Sequence, residues 1–332
     1  MAKATRFLVL GSNSFSGATF CDFLAEAGHE VLATSRSEEA HSALLPYKWE
    51  RREGAVRFRR IDINQDLDTL AELLSSERPT HVVNFAAQSM VAESWAHPDH
   101  WMMTNVVSTV RLLELLRRSE SLERYVHVTT PEVYGSTDGW VRESSRFNPS
   151  TPYAVSRAAG DMALAAYFQN YGFPVLFTRA ANVYGPGQPL YRIVPRTILA
   201  ALSGQKLRLD GGGASTRVFV HMRDVSDATL RIALDGRLGE TYHISGYELV
   251  SIRALVEAIL SRLGKSFDNC VELGPERPGK DTTYMLDSFK LRSELAWRDR
   301  ISLAEGIDDT IRWAERFASV LSELPLRYIH KA

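Results

Sequence analysis

The 332-residue sequence predicts an α/β protein: an open, mostly parallel sheet, doubly wound by helices on its two faces, with a smaller lobe toward the C-terminus. Three observations point there. Short runs rich in β-branched and apolar residues recur at 6–10, 29–34, 55–61, 81–87, 125–128 and 175–179, with helical patterns between most of them. Most of these runs are apolar throughout rather than alternating, as in strands buried on both faces. The first run leads directly into a glycine-bounded loop, Gly11 to Gly17.

That loop opens an amphipathic helix ending near Ala27 and closed by Gly28, and the run from His29 to Thr34 follows as a second strand. Strand, loop, helix and strand make one βαβ unit of Rossmann type. Its helix N-terminus, at Phe15, Ser16 and Gly17, offers free N–H groups and a positive dipole end to the pyrophosphate of a dinucleotide. The middle position of the glycine pattern is Ser14, small enough to admit a phosphate but less permissive than glycine. The alternative is an ordinary strand-to-helix turn. After the second strand stand Ser35 and Arg36, where a carboxylate would grip a ribose 2′-hydroxyl. A hydroxyl and a guanidinium suit a 2′-phosphate, so NADP is favoured over NAD; Arg36 as a solvated loop cation is the other reading.

Residues 37–54 are charged and irregular. The third strand ends at Asp62, a position from which a carboxylate can accept from an adenine amino group or simply cap a turn. A helix near 67–75 precedes the fourth strand, whose small Ala86 and Ala87 let a ligand lie close to the backbone. A single long helix is expected over 98–118. The fifth strand delivers Thr129, Thr130 and Glu132 to its C-terminal end, and a helix beginning near Tyr153 places Tyr153 and Arg157 one turn apart on one face. A hydroxyl, a carboxylate, a phenol and a cation therefore converge where an open parallel sheet places its site. A lone tyrosine and cation at this spacing would otherwise read as a surface stacking pair. Downstream, helices are expected over 193–203, 225–234 and 251–263 (the last capped by Ser251), strands at 217–221 and 239–245, and a loop at 276–281. The division expected is a dinucleotide-binding domain over 1–178, with segments near 215–245 returning to it, and a substrate-binding lobe over 179–332.

Composition sets the outer bounds. With 39 Lys and Arg against 40 Asp and Glu, the net charge of −1 gives no electrostatic case for nucleic acid or an anionic membrane. Two cysteines are too few for a disulfide framework, so a reducing, cytoplasmic setting is expected. No apolar run approaches the ~18 residues of a membrane span, and no metal is expected.

Taken together, Asn84 to Ser89, Asn105, Glu132 to Gly135, Asn148 to Tyr153, Asn182 to Pro186, Arg217, Gly239 to Tyr242 and Arg277 to Gly279 form an ordered series along nearly the whole chain. This series resembles the extended short-chain dehydrogenase/reductase superfamily. Within it, the pattern is nearest to the nucleotide-sugar epimerases and dehydratases of the dTDP-glucose 4,6-dehydratase type. The resemblance implies cofactor contacts from Gly11, Asn13, Ser14, Phe15, Ser16, Gly17, Ser35, Arg36, Asp62, Ile63, Phe85, Ala86, Ala87, Gln88, Asn105, Thr129, Tyr153 and Arg157. It implies substrate contacts from Ser89, Glu132, Asn182, Arg192, Arg217 and Arg277, catalysis by Thr130, Glu132, Tyr153 and Arg157, and a homodimer formed through helices at 98–118 and 151–170. In such an enzyme Tyr153, as phenolate, takes the proton of a sugar hydroxyl while hydride leaves the same carbon. A free phenol has a pKa near ~10, and one cation at ~4 Å in an effective dielectric of ~20 contributes about 4 kcal/mol toward lowering it.

Two departures from the family pattern carry chemistry. The lysine four residues after the tyrosine is Arg157, which keeps the charge but is bulkier and no proton relay. The Thr-Asp-Glu pattern of sugar 4,6-dehydratases is here Thr130, Pro131 and Glu132, and Pro131 can donate nothing, so the elimination needs another donor; Glu132 could serve both roles, taking the C5 proton and then protonating the leaving hydroxyl. Met90 and Lys280 also replace family histidines. A nucleotide-sugar 4,6-dehydratase is the expectation. UDP-glucuronate decarboxylase or another epimerase or reductase of the superfamily, and a catalytically silent dinucleotide-binding regulator, are the alternatives.

Overall fold

The computed structural model describes residues 5–49, 54–137, 139–275 and 285–331. Among the described residues the strands in chain order are β1 (Arg6–Leu10), β2 (Glu30–Ser35), β3 (Val56–Arg60), β4 (His81–Asn84), β5 (Arg124–Thr129), β6 (Trp140–Val141), β7 (Val175–Ala180), β8 (Asn182–Tyr184), β9 (Leu207–Asp210), β10 (Thr216–His221), β11 (Thr241–Ile244), β12 (Leu249–Ser251), β13 (Val271–Gly274) and β14 (Met285–Leu286). Seven of them form one sheet in the order β11-β7-β5-β4-β1-β2-β3, with every pairing parallel. Because β1 is followed by β2 on one side while β4 lies on the other, the strand order reverses between β1 and β4. That reversal opens a crevice at their C-terminal ends.

The sheet is buried on both faces for the reason visible in its sequence. Phe7, Val9, Val83, Val126 and Leu176 pack on one side with Phe20 and Leu24 of the Phe15–Glu26 helix and Ala228 and Ile232 of the Met222–Asp235 helix. Leu8, Leu10, Val82, Tyr125 and Val175 pack on the other with Leu70, Leu73, Leu112, Leu116 and Leu164. Edge strand β3 instead exposes Arg57, Arg59 and Arg60, a charged edge of the kind that discourages pairing with another chain.

Of the segments after residue 215, β11 joins the large sheet beside β7, whereas β10 pairs with β8 and β12 in a separate three-stranded sheet. The helices Ile193–Ser203, Ile252–Arg262 and Leu303–Arg316 bury Val194, Ile198, Leu255, Ile259, Ile307 and Ile311 in a second core. Ser251 caps its helix as expected, accepting from the Ala254 N–H.

The helix expected over 98–118 is not uniform. Its α-helical turns at Pro98–Met102 and Thr109–Leu116 are joined by a π-helical stretch, Met103–Ser108. Such a widened turn is a common device at functional sites. Here it carries Asn105, whose backbone carbonyl lies so near the next helix that a Cβ at Gly160 would approach it to 2.7 Å. Gly160 is what permits that approach.

Candidate active site

The loop after β1 is shaped by backbone geometry. Gly11 has φ +81°, and a Cβ there would stand 2.6 Å from the Ala86 nitrogen; one at Gly17 would stand 2.4 Å from the Gly11 carbonyl oxygen. The loop thus lies directly on the end of β4. Ser14 is the N-cap of the following helix: its Oγ accepts from the Gly17 N–H at 3.1 Å and donates to the Gly11 carbonyl at 2.7 Å. A serine at the middle position of the glycine pattern therefore has a structural reason. Asn13 ties the loop to the chain beyond β2, its backbone N–H donating to Ser35 Oγ at 2.9 Å and its Nδ2 to the carbonyls of Ser37 and Glu38.

A cavity of about 310 Å³ occupies the crevice between β1 and β4. Its lining includes Gly11, Asn13, Ser14, Ser35, Arg36, Asp62, Ile63, Phe85, Ala86, Ala87, Gln88 and Ser89, all expected at the site. Asp62 also makes a turn, its Oδ1 accepting from the Asn64 N–H at 2.9 Å, so the turn reading is realised at a residue that also faces the cavity. The residues fit a dinucleotide. The first-turn N–H groups at Phe15 and Ser16 belong to the set that a helix leaves without intrahelical acceptors. Among the described residues, Asn13 Oδ1 is buried with no hydrogen-bond partner, an acceptor that a ligand hydroxyl would satisfy.

Asn105 is not on the cavity wall. It is buried behind it, accepting from the Gln88 N–H at 2.9 Å and donating to the Gln88 carbonyl at 3.0 Å and to Ser156 Oγ at 2.9 Å. It fixes Gln88 against the Pro152–Tyr171 helix and acts on the cavity only through that residue. Thr129 likewise turns its hydroxyl inward, to Asp161 Oδ2 at 3.1 Å.

The polar cluster forms where β5 meets that helix. Thr151 caps the helix through the Ala154 N–H, with Pro152 in its first turn, a position that needs no N–H. Thr130 is buried, and its Oγ1 accepts from the Glu132 N–H at 3.2 Å. Pro131 opens the 3-10 turn Pro131–Tyr134, so the proline occupies a place where the backbone has no donor to lose. Glu132, Arg157 and Arg192 all act electrostatically on the buried Tyr153 phenol. The net direction corrects the single-cation arithmetic: burial raises the Tyr153 pKa above its ordinary value, and Arg157 only partly offsets it. Arg157 is itself buried and donates through Nη2 to the Val128 carbonyl, and among the described residues its Nε has no hydrogen-bond partner.

The remaining substrate-side expectations are less concentrated. Arg192 precedes the Ile193–Ser203 helix without capping it through its side chain, and its Nη2 reaches Met90 Sδ at 3.8 Å. Asn182 lies in β8 and Arg217 in β10, whose guanidinium donates to the Thr216 carbonyl at 2.7 Å. Arg277 falls outside the described residues, as does Lys280.

Behind the cluster lies a buried charged network that the motifs did not reveal. Arg179, at the end of β7, donates to Asp161 Oδ2 at 2.7 Å and to the Tyr134 hydroxyl at 2.8 Å; that hydroxyl also meets His243 Nε2 at 2.8 Å. His127 lies 3.6 Å from Asp161, but burial, Arg157 and Arg179 hold it well below its ordinary pKa, so it is neutral there. Asp161 falls one helical turn after Arg157, the signal from which the network was readable.

Among the described residues no helix is long and apolar enough to cross a membrane, and no group of three or more histidine, cysteine and carboxylate residues could hold a metal.

Comparison with known proteins agrees with this geometry. The family model described as GDP-mannose 4,6 dehydratase matches residues 8–310. A dTDP-glucose 4,6-dehydratase of Streptomyces niveus is 37% identical over 233 residues, covering 70% of this chain and 69% of that protein. The crystal structure of dTDP-glucose 4,6-dehydratase from Streptomyces venezuelae, with NAD bound, superposes with a TM-score of 0.85 at 33% identity, over 95% of this chain and 98% of that one. UDP-glucuronic acid 4-epimerase from Bacillus cereus, solved with UDP-glucuronic acid and NAD, superposes with a TM-score of 0.84 at 25% identity, over 94% and 100% of the two chains. With a glycine loop at the strand reversal, a buried tyrosine one turn before a buried arginine, and a match from the first strand to the last long helix, the chain belongs to the GDP-mannose 4,6-dehydratase family of the extended short-chain dehydrogenases.

Proposed function

We propose that this chain is a nucleotide-sugar 4,6-dehydratase that oxidises its substrate transiently at C4, eliminates water across C5 and C6, and releases a 4-keto-6-deoxy sugar nucleotide. The observation that carries the reading is the cluster at the end of β5. Tyr153 and Arg157 are buried one turn apart on the Pro152–Tyr171 helix, with buried Thr130 and the Pro131–Tyr134 turn that carries Glu132 at the end of β5, and the charges of Arg157 and Glu132 act on the phenol. We assign residues 1–178 mainly to the cofactor and 179–332 mainly to the substrate; of the stretch 215–245, the Met222–Asp235 helix and β11 return to the first part, and β10 pairs with β8 and β12 instead.

The Gly11–Gly17 loop, Ser35, Arg36, Asp62, Ile63 and the Phe85–Gln88 stretch would hold a nicotinamide dinucleotide. When bound, its ring would supply the hydride acceptor and later the hydride donor, while Arg157 contributes its own positive charge toward the Tyr153 phenol. Tyr153 takes the proton of the C4 hydroxyl as hydride leaves C4; after the elimination hydride returns to C6 and one proton is delivered to C5, so the sugar has lost one water and keeps the 4-keto group. Glu132 removes the C5 proton and passes it to the departing C6 hydroxyl, which leaves as water. That dual role replaces the general acid that Pro131 cannot be, and a retained glutamate argues against a simple 4-epimerase, which needs no base at C5. Ser89, Asn182, Arg192, Arg217 and Arg277 would hold the sugar nucleotide, arginine being suited to a diphosphate by its planar fork and permanent charge.

NADP over NAD is the finer part of the proposal, and it rests on Arg36 at the cavity wall beside Ser35. Competition between the two dinucleotides tests it, and tighter binding of NAD removes it. A homodimer is proposed through the helices at 98–116 and 152–171, where Met103, Val107, Val155 and Met162 are 44%, 38%, 40% and 62% exposed. A cytoplasmic setting belongs to the same reading. Both cysteines, Cys21 and Cys270, are free.

The test is incubation with dTDP-glucose, GDP-mannose, UDP-GlcNAc and CDP-glucose, reading products by mass. Loss of one water from at least one of them is expected. If all four are unchanged while UDP-glucuronate loses carbon dioxide, decarboxylation replaces the proposal; if a dinucleotide binds but no sugar nucleotide does, the chain is a regulator.

A further inference from the structure

The dinucleotide cavity has a wall that neither the glycine loop nor the strand ends supply. Tyr328, Ile329 and Lys331 line it together with Gly11, Arg36 and Gln88. They follow the helical turn Ala318–Leu321, outside the residues matched by the family model. The Lys331 carbonyl accepts from Gln88 Nε2 at 2.7 Å and from Arg36 Nη2 at 3.2 Å. Gln88 follows β4 and Arg36 follows β2, the two strands that flank β1. One carbonyl therefore bridges the crevice from side to side, across the glycine loop that leaves β1.

The segment is seated at both ends of this crossing. The His330 ring lies parallel to His97 and His100, with centroids 5.1 Å away in each case, and to Trp101 at 5.2 Å. Its Nε2 is 2.8 Å from His100 Nδ1. Tyr328 meets Tyr191, the neighbour of Arg192, edge to face at 5.8 Å. The segment thus touches the cofactor side through the His97–Trp101 stretch and the substrate side through Tyr191. About 310 Å³ stays open between it and the opposite wall, a volume within the usual range for ligand pockets. The segment roofs the cavity without filling it.

We propose that Tyr328–Lys331 is a strap that closes the dinucleotide pocket and slows departure of the cofactor. The inference rests on the dinucleotide reading of the cavity and goes beyond it, by assigning cofactor retention to residues outside the family motifs. Retention suits a reaction that regenerates its cofactor in every turnover and has no need to exchange it.

The test is the rate at which bound NADH leaves, followed by loss of its fluorescence when excess NAD is added. The full chain is compared with a chain shortened after Leu324 and with the full-length variant His330→Ala, which keeps the segment but removes its stacked anchor. The shortened chain should release NADH about tenfold faster, the scale of one to two neutral hydrogen bonds, and His330→Ala by a smaller factor in the same direction. Equal rates in all three proteins overturn the strap while leaving the pocket intact. Slower release or tighter binding in the shortened chain also overturns it, since the segment would then be competing with the cofactor. Failure of the full chain to bind NADH or NADPH at all counts instead against the dinucleotide reading itself.

Discussion

The cofactor crevice and the catalytic cluster adjoin at the same end of the sheet but are built from different materials. The crevice is defined by backbone: the left-handed turn at Gly11, the contact of Gly17 with the Gly11 carbonyl, and the helix N-terminus held by Ser14. The cluster is defined by buried side chains, Thr130, Tyr153 and Arg157, backed by Asp161 and Arg179. The comparison teaches where substitution is tolerated. A serine at a glycine position in the crevice finds a capping role and leaves the loop in place. In the cluster, by contrast, Pro131 takes the place of the family pattern's side-chain acid, and Arg157 changes the shape of a cation that here donates to the Val128 carbonyl. The departures from the family pattern that affect chemistry therefore gather in the cluster.

Substitutions on the two sides break or sharpen this contrast. The largest effect is expected at Tyr153→Phe, which should lower turnover by about 10²–10⁴-fold, the ordinary worth of a positioned acid or base, with the melting temperature nearly unchanged. A loss of cofactor binding instead would mean that the tyrosine belongs to the crevice. Next is Asp161→Ala, which strands the buried Arg179 charge and should destabilise the fold by about 3–5 kcal/mol, measured by denaturant unfolding. Ser14→Ala should cost about 1 kcal/mol through the lost cap and weaken dinucleotide binding more than turnover at saturating cofactor.

The smallest expected effect depends on pH. Burial, then His100 and His97, hold the His330 pKa below its ordinary value of 6.5. The groups facing it are His97, His100, Arg36, Glu93 and the Tyr328 hydroxyl, with Trp101 stacked on the ring. A depressed histidine favours the docked segment when neutral, so its contribution is full above pH 6.5 and is lost as pH falls through the depressed value. Release of NADH should quicken modestly below pH 6.5 in the native chain and lose that component in His330→Ala.

What was legible in the sequence follows the same division. The glycine loop, the capped helix starts and the Tyr153–Arg157 spacing are local patterns; of the expected residues between Gly11 and Ser89, all but Phe15, Ser16 and Gly17 line the cavity, and Asn105 does not. That residue sits in a π-helical stretch which leaves no mark on apolar periodicity, so its position behind Gln88 was not readable. The sign of the Tyr153 shift depends on burial, which spacing does not report; counting Arg157 alone gave the opposite direction. Asp161 and Arg179 join two distant segments, and only the one-turn offset from Arg157 hinted at the first. Tyr328–Lys331 carries neither periodicity nor motif, and its place follows from tertiary contacts alone.

The central claim is that Tyr153 and Glu132 carry oxidation at C4 and elimination across C5 and C6 in one site. The direct measurement supplies the sugar nucleotide found to be a substrate with deuterium at C4 and locates the label in the product by mass and NMR. The account predicts deuterium in the new C6 methyl group of a 4-keto product. It also predicts that Glu132→Gln still transfers the label to the cofactor but forms no deoxy sugar. Deuterium retained at C4 in an epimerised or decarboxylated product, or unimpaired elimination in Glu132→Gln, would contradict it.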